Sequence, residues 1–172
     1  MTKQKKNKKQ PLTSDEIIKK ITLDLIPLQD REVILEVVSG HLKLAKGIHT
    51  IFAFRKYQEA FLLTEMGNDQ LMSCVEQDHS LINDVSQRSD INLFSELQDN
   101  IKKHLLNYLE NHVLDSSCIL PIHSFEELQA ILVVVPPKNT SFSEEDLNLF
   151  STIIYYLIVV FDRITQLERL QH

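Results

Sequence analysis

The C-terminal segment predicts one long helix with more apolar surface than a single sheet can cover. Ser143-Glu144-Glu145-Asp146 has the pattern of a capping box, so the helix begins after Ser143 and can continue almost to the C-terminus. A helix that is apolar over most of its circumference is buried on both sides. We therefore expect a second helix, from this chain or from a partner, against it. The apolar residues form two stripes, one at Phe150, Ile153, Leu157, Val160, Ile164 and Leu167 and a second at Leu147, Ile154, Ile158 and Phe161.

Two shorter helices are predicted near the N-terminus. Thr13-Ser14-Asp15-Glu16 also resembles a capping box, and Pro27 ends the helix that follows it. The next helix begins after Asp30 and ends at Gly47, which is typical of a C-cap. The first helix offers Ile17, Ile21 and Leu25 as possible complements of the second stripe, and the next has Ile34, Val37, Val38, His41 and Ala45 on its expected buried face.

The middle of the chain predicts strands. Pro136-Pro137 ends the last of them, because proline cannot donate to a strand ladder. Helical periodicity returns once, from Asp90 to about Asn111. Strand pairs joined by short turns favour an α+β fold, with a five- or six-stranded antiparallel sheet and the N- and C-terminal helices packed on one face. The predicted strands are residues 48–54, 60–64, 71–76, 117–122 and 128–135.

From Asp115 onward the sequence resembles the C-terminal half of a GAF domain. The matching parts are a strand with an apolar-Pro-apolar end (Leu120-Pro121-Ile122), a tight hairpin, an apolar strand at 130–135, and the loop Phe142-Ser143-Glu144-Glu145-Asp146 before a long helix. The resemblance covers about residues 30–170, more loosely in the first half. It implies one GAF/PAS-like domain over residues 13–172 with a regulatory or sensory function.

The chain has three glycines, which argues against folds that hold phosphate on glycine-rich loops. GAF domains often have glycine in the second hairpin and at the start of the following strand, where this chain has Glu126-Glu127 and Ala130. The middle segment of the family often has further glycines, yet none follows Gly67 here. The missing glycines favour binding of proteins over binding of small molecules.

No cluster of residues predicts catalysis, a metal site or a cofactor. The two cysteines, Cys74 and Cys118, lie on different predicted strands, and the seven histidines lack metal-ligand spacing. The carboxylates lie mostly at helix starts, where they offset the helix dipole. The Asn-Lys-x-x-x-Phe-x-x-x-Asp-Glu signature of cyclic-nucleotide GAF domains is absent. We expect a protein that is not an enzyme.

The charge is distributed unevenly. Five of the 18 basic residues lie within residues 1–10, so the rest of the chain has 13 basic against 24 acidic residues, a net charge of −11. We expect residues 1–12 to be a disordered basic tail and the only part able to contact nucleic acid or an anionic membrane. The polar N-terminus and the two cysteines favour a cytoplasmic protein.

Two functional hypotheses follow. The first is a regulatory domain that forms a homodimer and binds protein partners through its terminal helices, with Leu147, Ile154, Ile158 and Phe161 at the dimer interface. The alternative is a small-molecule sensor whose pocket lies between the sheet and the middle helix and is lined by Phe52, Phe54, Phe94 and Cys118.

Overall fold

A six-stranded antiparallel sheet forms the centre of the fold. The structure is a computed structural model that describes residues 10–68, 70–109 and 112–172. The strands lie in the order β3-β2-β1-β6-β5-β4, so β1 and β6 are central. Both are covered on two faces, and β6 accordingly has the continuous apolar run Ile131-Leu132-Val133-Val134. The strands are β1 (Thr50–Tyr57), β2 (Ala60–Glu65), β3 (Leu71–Glu76), β4 (Asn92–Leu93), β5 (Cys118–Ser124) and β6 (Glu127–Val135).

Among the described residues, five helices cover the sheet, and the predicted caps form at three of them. Thr13 and Ser143 each accept a hydrogen bond from the backbone three residues on and are bonded in return by Glu16 and Asp146, which completes two capping boxes. Gly47 ends the second helix at φ 61°, a conformation that suits glycine. The helices are α1 (Ser14–Leu25), α2 (Arg31–Lys46), α3 (Ser80–Ser86), α4 (Asp99–Tyr108) and α5 (Glu144–Leu170).

The sheet separates two apolar cores. The terminal helices α1, α2 and α5 pack on one face, where Ala53, Leu120 and Leu132 point towards them. The short helices α3 and α4 pack on the opposite face against Phe54 and Ile131. The predicted α+β class, the antiparallel sheet and the terminal helices on one face are confirmed.

The whole length of α1 lies along α5. Ser14 Oγ donates to Glu145 Oε1 at 3.0 Å near the start of both helices, and Arg163 Nη2 donates to the Leu28 carbonyl at 3.0 Å beyond the end of α1. By length and composition α5 is also the one helix among the described residues that could cross a membrane. Its inner face, however, packs on β5 and joins the core with α1 and α2.

The structure differs from the sequence-based predictions in several places. The helix predicted from Asp90 begins only at Asp99, because residues 92–96 form β4 and a short 3₁₀ turn. The helix α3 was not predicted; its N-cap is His79, which is not a common capping residue. The buried face of α2 contains Leu35 and Leu42, whereas His41 is only half-buried and its Nε2 lies 2.7 Å from Asp24 Oδ2 on α1.

The predicted basic tail is described only in part. Residues 1–9 lie outside the described chain, and Leu12 packs partly against the core.

Candidate interaction and ligand sites

The register of the sheet separates the residues predicted to line one pocket. Phe52 is opposite Val133, and Val133 is opposite Ile119, so these side chains share one face of the sheet. Cys118 is adjacent to Ile119 on the same strand and therefore points to the other face. It lies in the core with α1, α2 and α5, whereas Phe52, Phe54 and Phe94 lie in the core with α3 and α4. The four residues do not line a common space.

The three phenylalanines are part of a packed core. Phe52 and Phe54 are fully buried, and Phe94 is 4% exposed. The Phe52 ring meets the ring of His112 edge-on at 4.7 Å between centroids, and the Phe54 ring meets Tyr108 at 6.2 Å. Apolar side chains of α3 and α4 complete the same cluster. The rings therefore contribute to stability here as buried aromatic pairs.

The cysteines differ in environment. Burial, together with the charges of Asp146 and Glu96, raises the pKa of the Cys118 thiol to about 12. The thiol is therefore protonated at neutral pH and is not a nucleophile. Cys74 is exposed on the edge strand β3. Among the described residues, no group of three or more His, Cys, Asp and Glu side chains is arranged to hold a metal ion.

A cluster of two histidines and a tyrosine at the α3–α4 junction was not anticipated. His79 Nδ1 accepts from the Leu81 backbone at 3.1 Å, and its ring lies 4.6 Å from that of His104. His104 Nε2 lies 3.1 Å from Ser80 Oγ, and Tyr108 meets the ring of His79 edge-on. The residues are distant in sequence, and only the packing of α3 against α4 brings them together. These contacts hold the two helices in register.

The stripe predicted to form a dimer interface is covered by its own chain. Ile154 and Phe161 are 3% and 1% exposed, and Leu147 and Ile158 are partly buried in the same cluster. That cluster contains Ile17, Ile21 and Leu25 of α1, the expected complements. The second cover of α5 is thus a helix of the same chain, and Ile154 and Phe161 have almost no surface left for a second copy while α1 stays in place.

Another side of α5 remains exposed. Tyr155 is 65% exposed, Val159 48% and Leu170 83%. Their spacing of four and eleven residues places them on one side of an α-helix. The described chain leaves this side uncovered.

The end of α5 is fixed to the β5–β6 turn. Asp162 Oδ1 accepts from Ser124 Oγ at 2.9 Å and from the Phe125 backbone at 3.0 Å, while the Arg169 guanidinium lies 4.6 Å from the Phe125 ring centroid. Phe125 and Glu126 have φ of 47° and 66°, a region that favours glycine. This is the hairpin in which GAF domains often have glycine, and contacts from α5 help to hold the turn without it.

Comparison with known proteins identifies the fold. No protein-family model matches the chain, and no curated protein matches it in sequence. Solved structures do match over most of their length. The GAF domain of a phosphoenolpyruvate-protein phosphotransferase from Coxiella burnetii is 19% identical, with a TM-score of 0.67 over 91% of this chain and 97% of that one. The chain has a GAF-like fold.

Other structures with the GAF-like fold differ in function. The phycoerythrobilin-bound GAF domain of a cyanobacterial phytochrome is 14% identical, with a TM-score of 0.63 over 92% of this chain and 100% of that one. The free methionine-R-sulfoxide reductase of Neisseria meningitidis, solved with its substrate, is 12% identical, with a TM-score of 0.64 over 89% and 90%. Neighbours of this fold thus include signalling or ligand-binding domains and enzymes, and likeness at these identities establishes the fold alone.

Proposed function

We propose that this chain is a non-catalytic regulatory domain of the cytoplasm that forms a homodimer through the outer side of α5. The observation that carries the proposal is the exposure of Tyr155, Val159 and Leu170 on one side of α5, while the opposite side of the helix is buried against the sheet and α1. Aromatic and branched side chains on one helix side suit packing against an identical helix related by twofold symmetry. The GAF-like neighbours with signalling roles support a regulatory function.

A non-catalytic role agrees with the chemistry of the site residues. The buried thiol of Cys118 stays protonated, and the histidine cluster at the α3–α4 junction is used in helix packing. The two free cysteines fit a reducing compartment.

In this proposal, a structural change elsewhere in the domain reaches the dimer interface through α5. One end of α5 is held by Lys46, which pairs with Asp146 at 3.0 Å, and the other by Arg31, which pairs with Glu168 at 2.7 Å. Both partners belong to α2. A partner that displaced α2 would therefore disturb both ends of the dimerising helix.

The test uses one substitution on the proposed interface and one matched control. Tyr155→Asp places a charge on the outer side of α5, whereas Leu106→Asp places one at a comparably exposed apolar site on α4, across the sheet. In sedimentation equilibrium, we expect Tyr155→Asp to weaken self-association at least about tenfold, a change of about 1.4 kcal/mol. We expect Leu106→Asp to behave as the unmodified chain does. Equal self-association of all three proteins would exclude this surface.

A further inference from the structure

A polar groove lies between α2 and the turn that joins β2 to β3. It consists of two adjoining pockets of about 270 Å³ each, which share Glu36, Met66 and Gly67. Pockets for drug-sized ligands measure about 300–1,000 Å³, so each of these suits a smaller molecule. The groove lies on the side of the sheet that α1, α2 and α5 cover, away from the core that contains Phe52 and Phe54.

Gly40 in this groove has no explanation within the chain. It lies in the interior of α2, where glycine weakens a helix relative to alanine. A Cβ at this position would meet no described atom within 4 Å, and the residue is not in a positive-φ conformation. Glycine is useful where another molecule must approach the backbone closely. Two of the three glycines of the chain, Gly40 and Gly67, line this groove.

Two buried polar atoms at the groove also lack partners. Ser39 lines the same pocket as Gly40 and is 2% exposed, and its hydroxyl has no hydrogen-bond partner among the described residues. Arg55 lines the adjoining pocket; its Nη1 pairs with Glu32 at 3.0 Å, but its buried Nε has no partner within the described chain. A buried polar group without a partner is unfavourable, and because each of these atoms has less than 1 Å² of exposed surface, a bound polar molecule would satisfy it after the side chain rotates towards the groove.

The groove carries charges of both signs. Lys43 Nζ donates to the Met66 carbonyl at 2.8 Å and stands beside Gly67, and Arg55 supplies a second cation. Glu36 lies at the junction of the two pockets, and Glu65 lines one of them. Glu32 also lines the groove and pairs with Arg55, so three glutamates stand against two cations and a purely anionic ligand would be repelled. A ligand with one charge of each sign complements both.

We propose that this groove binds a small zwitterion of the amino-acid type. Its carboxylate lies towards Lys43 and the Ser39 hydroxyl, and its ammonium group lies towards Glu36. Because Gly40 has no side chain, the Cα of the ligand can approach the backbone of α2 closely. The site is spatially separate from the proposed dimer interface, because none of its lining residues belongs to α5.

The small number of glycines makes the site observable by NMR. In a ¹⁵N-labelled sample, the amide signals of Gly40 and Gly67 report on the groove, and Gly47 at the end of α2 is the internal control. The probes are the free amino acids, added singly at millimolar concentration, each with its N-acetyl and carboxamide forms. We expect at least one free amino acid to shift Gly40 and Gly67 but not Gly47, with binding about tenfold weaker or more for either blocked form.

Two variants test whether the groove itself is responsible. Gly40→Leu extends a side chain into the open space beside α2, and Val33→Leu places the same residue at an exposed site on α2 outside the groove. We expect Gly40→Leu to raise the melting temperature, because leucine favours the helix, and yet to weaken binding about tenfold or more, read from Gly67. Val33→Leu should bind as the unmodified chain does. Failure of every free amino acid to move both signals, equal binding by the blocked forms, or unaltered binding by Gly40→Leu would each overturn the proposal.

Discussion

Arg31 and Glu168 connect the start of α2 to the end of α5 through two parallel hydrogen bonds. Arg31 Nη1 donates to Glu168 Oε1 at 2.7 Å, and Nη2 donates to Oε2 at 3.0 Å. The second nitrogen also donates to Thr165 at 2.8 Å. A planar guanidinium held by two residues one turn apart fixes the orientation of the last turns of α5, which include Leu170 of the side proposed for dimerisation.

This pair predicts a pH dependence of stability. The hydrogen bonds from Arg31 lower the pKa of Glu168. Because the pKa is lower in the folded state, the pair stabilises the fold fully above the ordinary pKa of glutamate, about 4.3, and this contribution is lost as the pH falls below it. Glu168 is half-exposed, so we expect Glu168→Gln to reduce the free energy of unfolding at pH 7 by about 1 kcal/mol or less. Urea unfolding at pH 7 and pH 3 measures this, and a difference that persists at pH 3 would contradict the account.

Neighbouring residues on α5 should differ sharply in their tolerance of substitution. Ile154 is 3% exposed between the sheet and α1, whereas Tyr155 is exposed. We expect Ile154→Ala to lower the free energy of unfolding by about 3 kcal/mol, because it leaves a cavity, and Tyr155→Ala to change it by about 0.5 kcal/mol or less. Urea unfolding of both variants at a concentration too low for self-association measures the contrast. Similar effects for the two would show that α1 does not cover α5 in solution.

The two cysteines should react at different rates. Cys74 is exposed, whereas Cys118 is buried with a pKa of about 12. At pH 8, we expect Ellman's reagent to modify one thiol in the folded protein and two in denaturant. The Cys74→Ser variant should show no rapid reaction until it is unfolded. Rapid modification of Cys118 in the folded Cys74→Ser variant would contradict its placement in the core between the sheet and the helices α1, α2 and α5.

Glycine at position 126 should make the β5–β6 turn, and with it the folded protein, more stable. Glu126 has a φ of 66°, which strains a residue with a side chain. Relief of that strain outweighs the greater freedom of glycine in the unfolded chain, so we expect Glu126→Gly to stabilise the protein by about 0.5–1 kcal/mol. Gln129→Gly, within β6, should instead destabilise it. Thermal unfolding compares the two, and a lower melting temperature for Glu126→Gly would argue against a left-handed turn.

The sequence predicted most of what local patterns determine. The capping boxes, predicted with Thr13 or Ser14 and with Ser143 as N-cap, and the C-cap at Gly47 were correct because each depends on residues only a few positions apart. The helix predicted from Asp90 was wrong at its start because Phe94 and Leu97 have helical spacing although they lie in and beside a 3₁₀ turn. There the apolar period reflects burial under the sheet and not a continuous helix.

The candidate sites depended on information that the sequence does not contain. Cys118 was grouped with Phe52 because both lie on predicted strands, but the face of each is set by the register through Val133 and Ile119. The second stripe of α5 was correctly expected to need a helical cover, but spacing alone could not distinguish α1 from a partner. The groove at Gly40 has no sequence signal beyond a glycine inside a helical pattern.

The central claim, that this GAF-like chain is a homodimer, is tested most directly by its mass in solution. Multi-angle light scattering on the unmodified full chain at tens of micromolar measures that mass without reference to shape. We predict twice the mass of the chain, falling towards the single mass on dilution and in the Tyr155→Asp/Val159→Asp double variant. A single mass at every concentration would contradict the account.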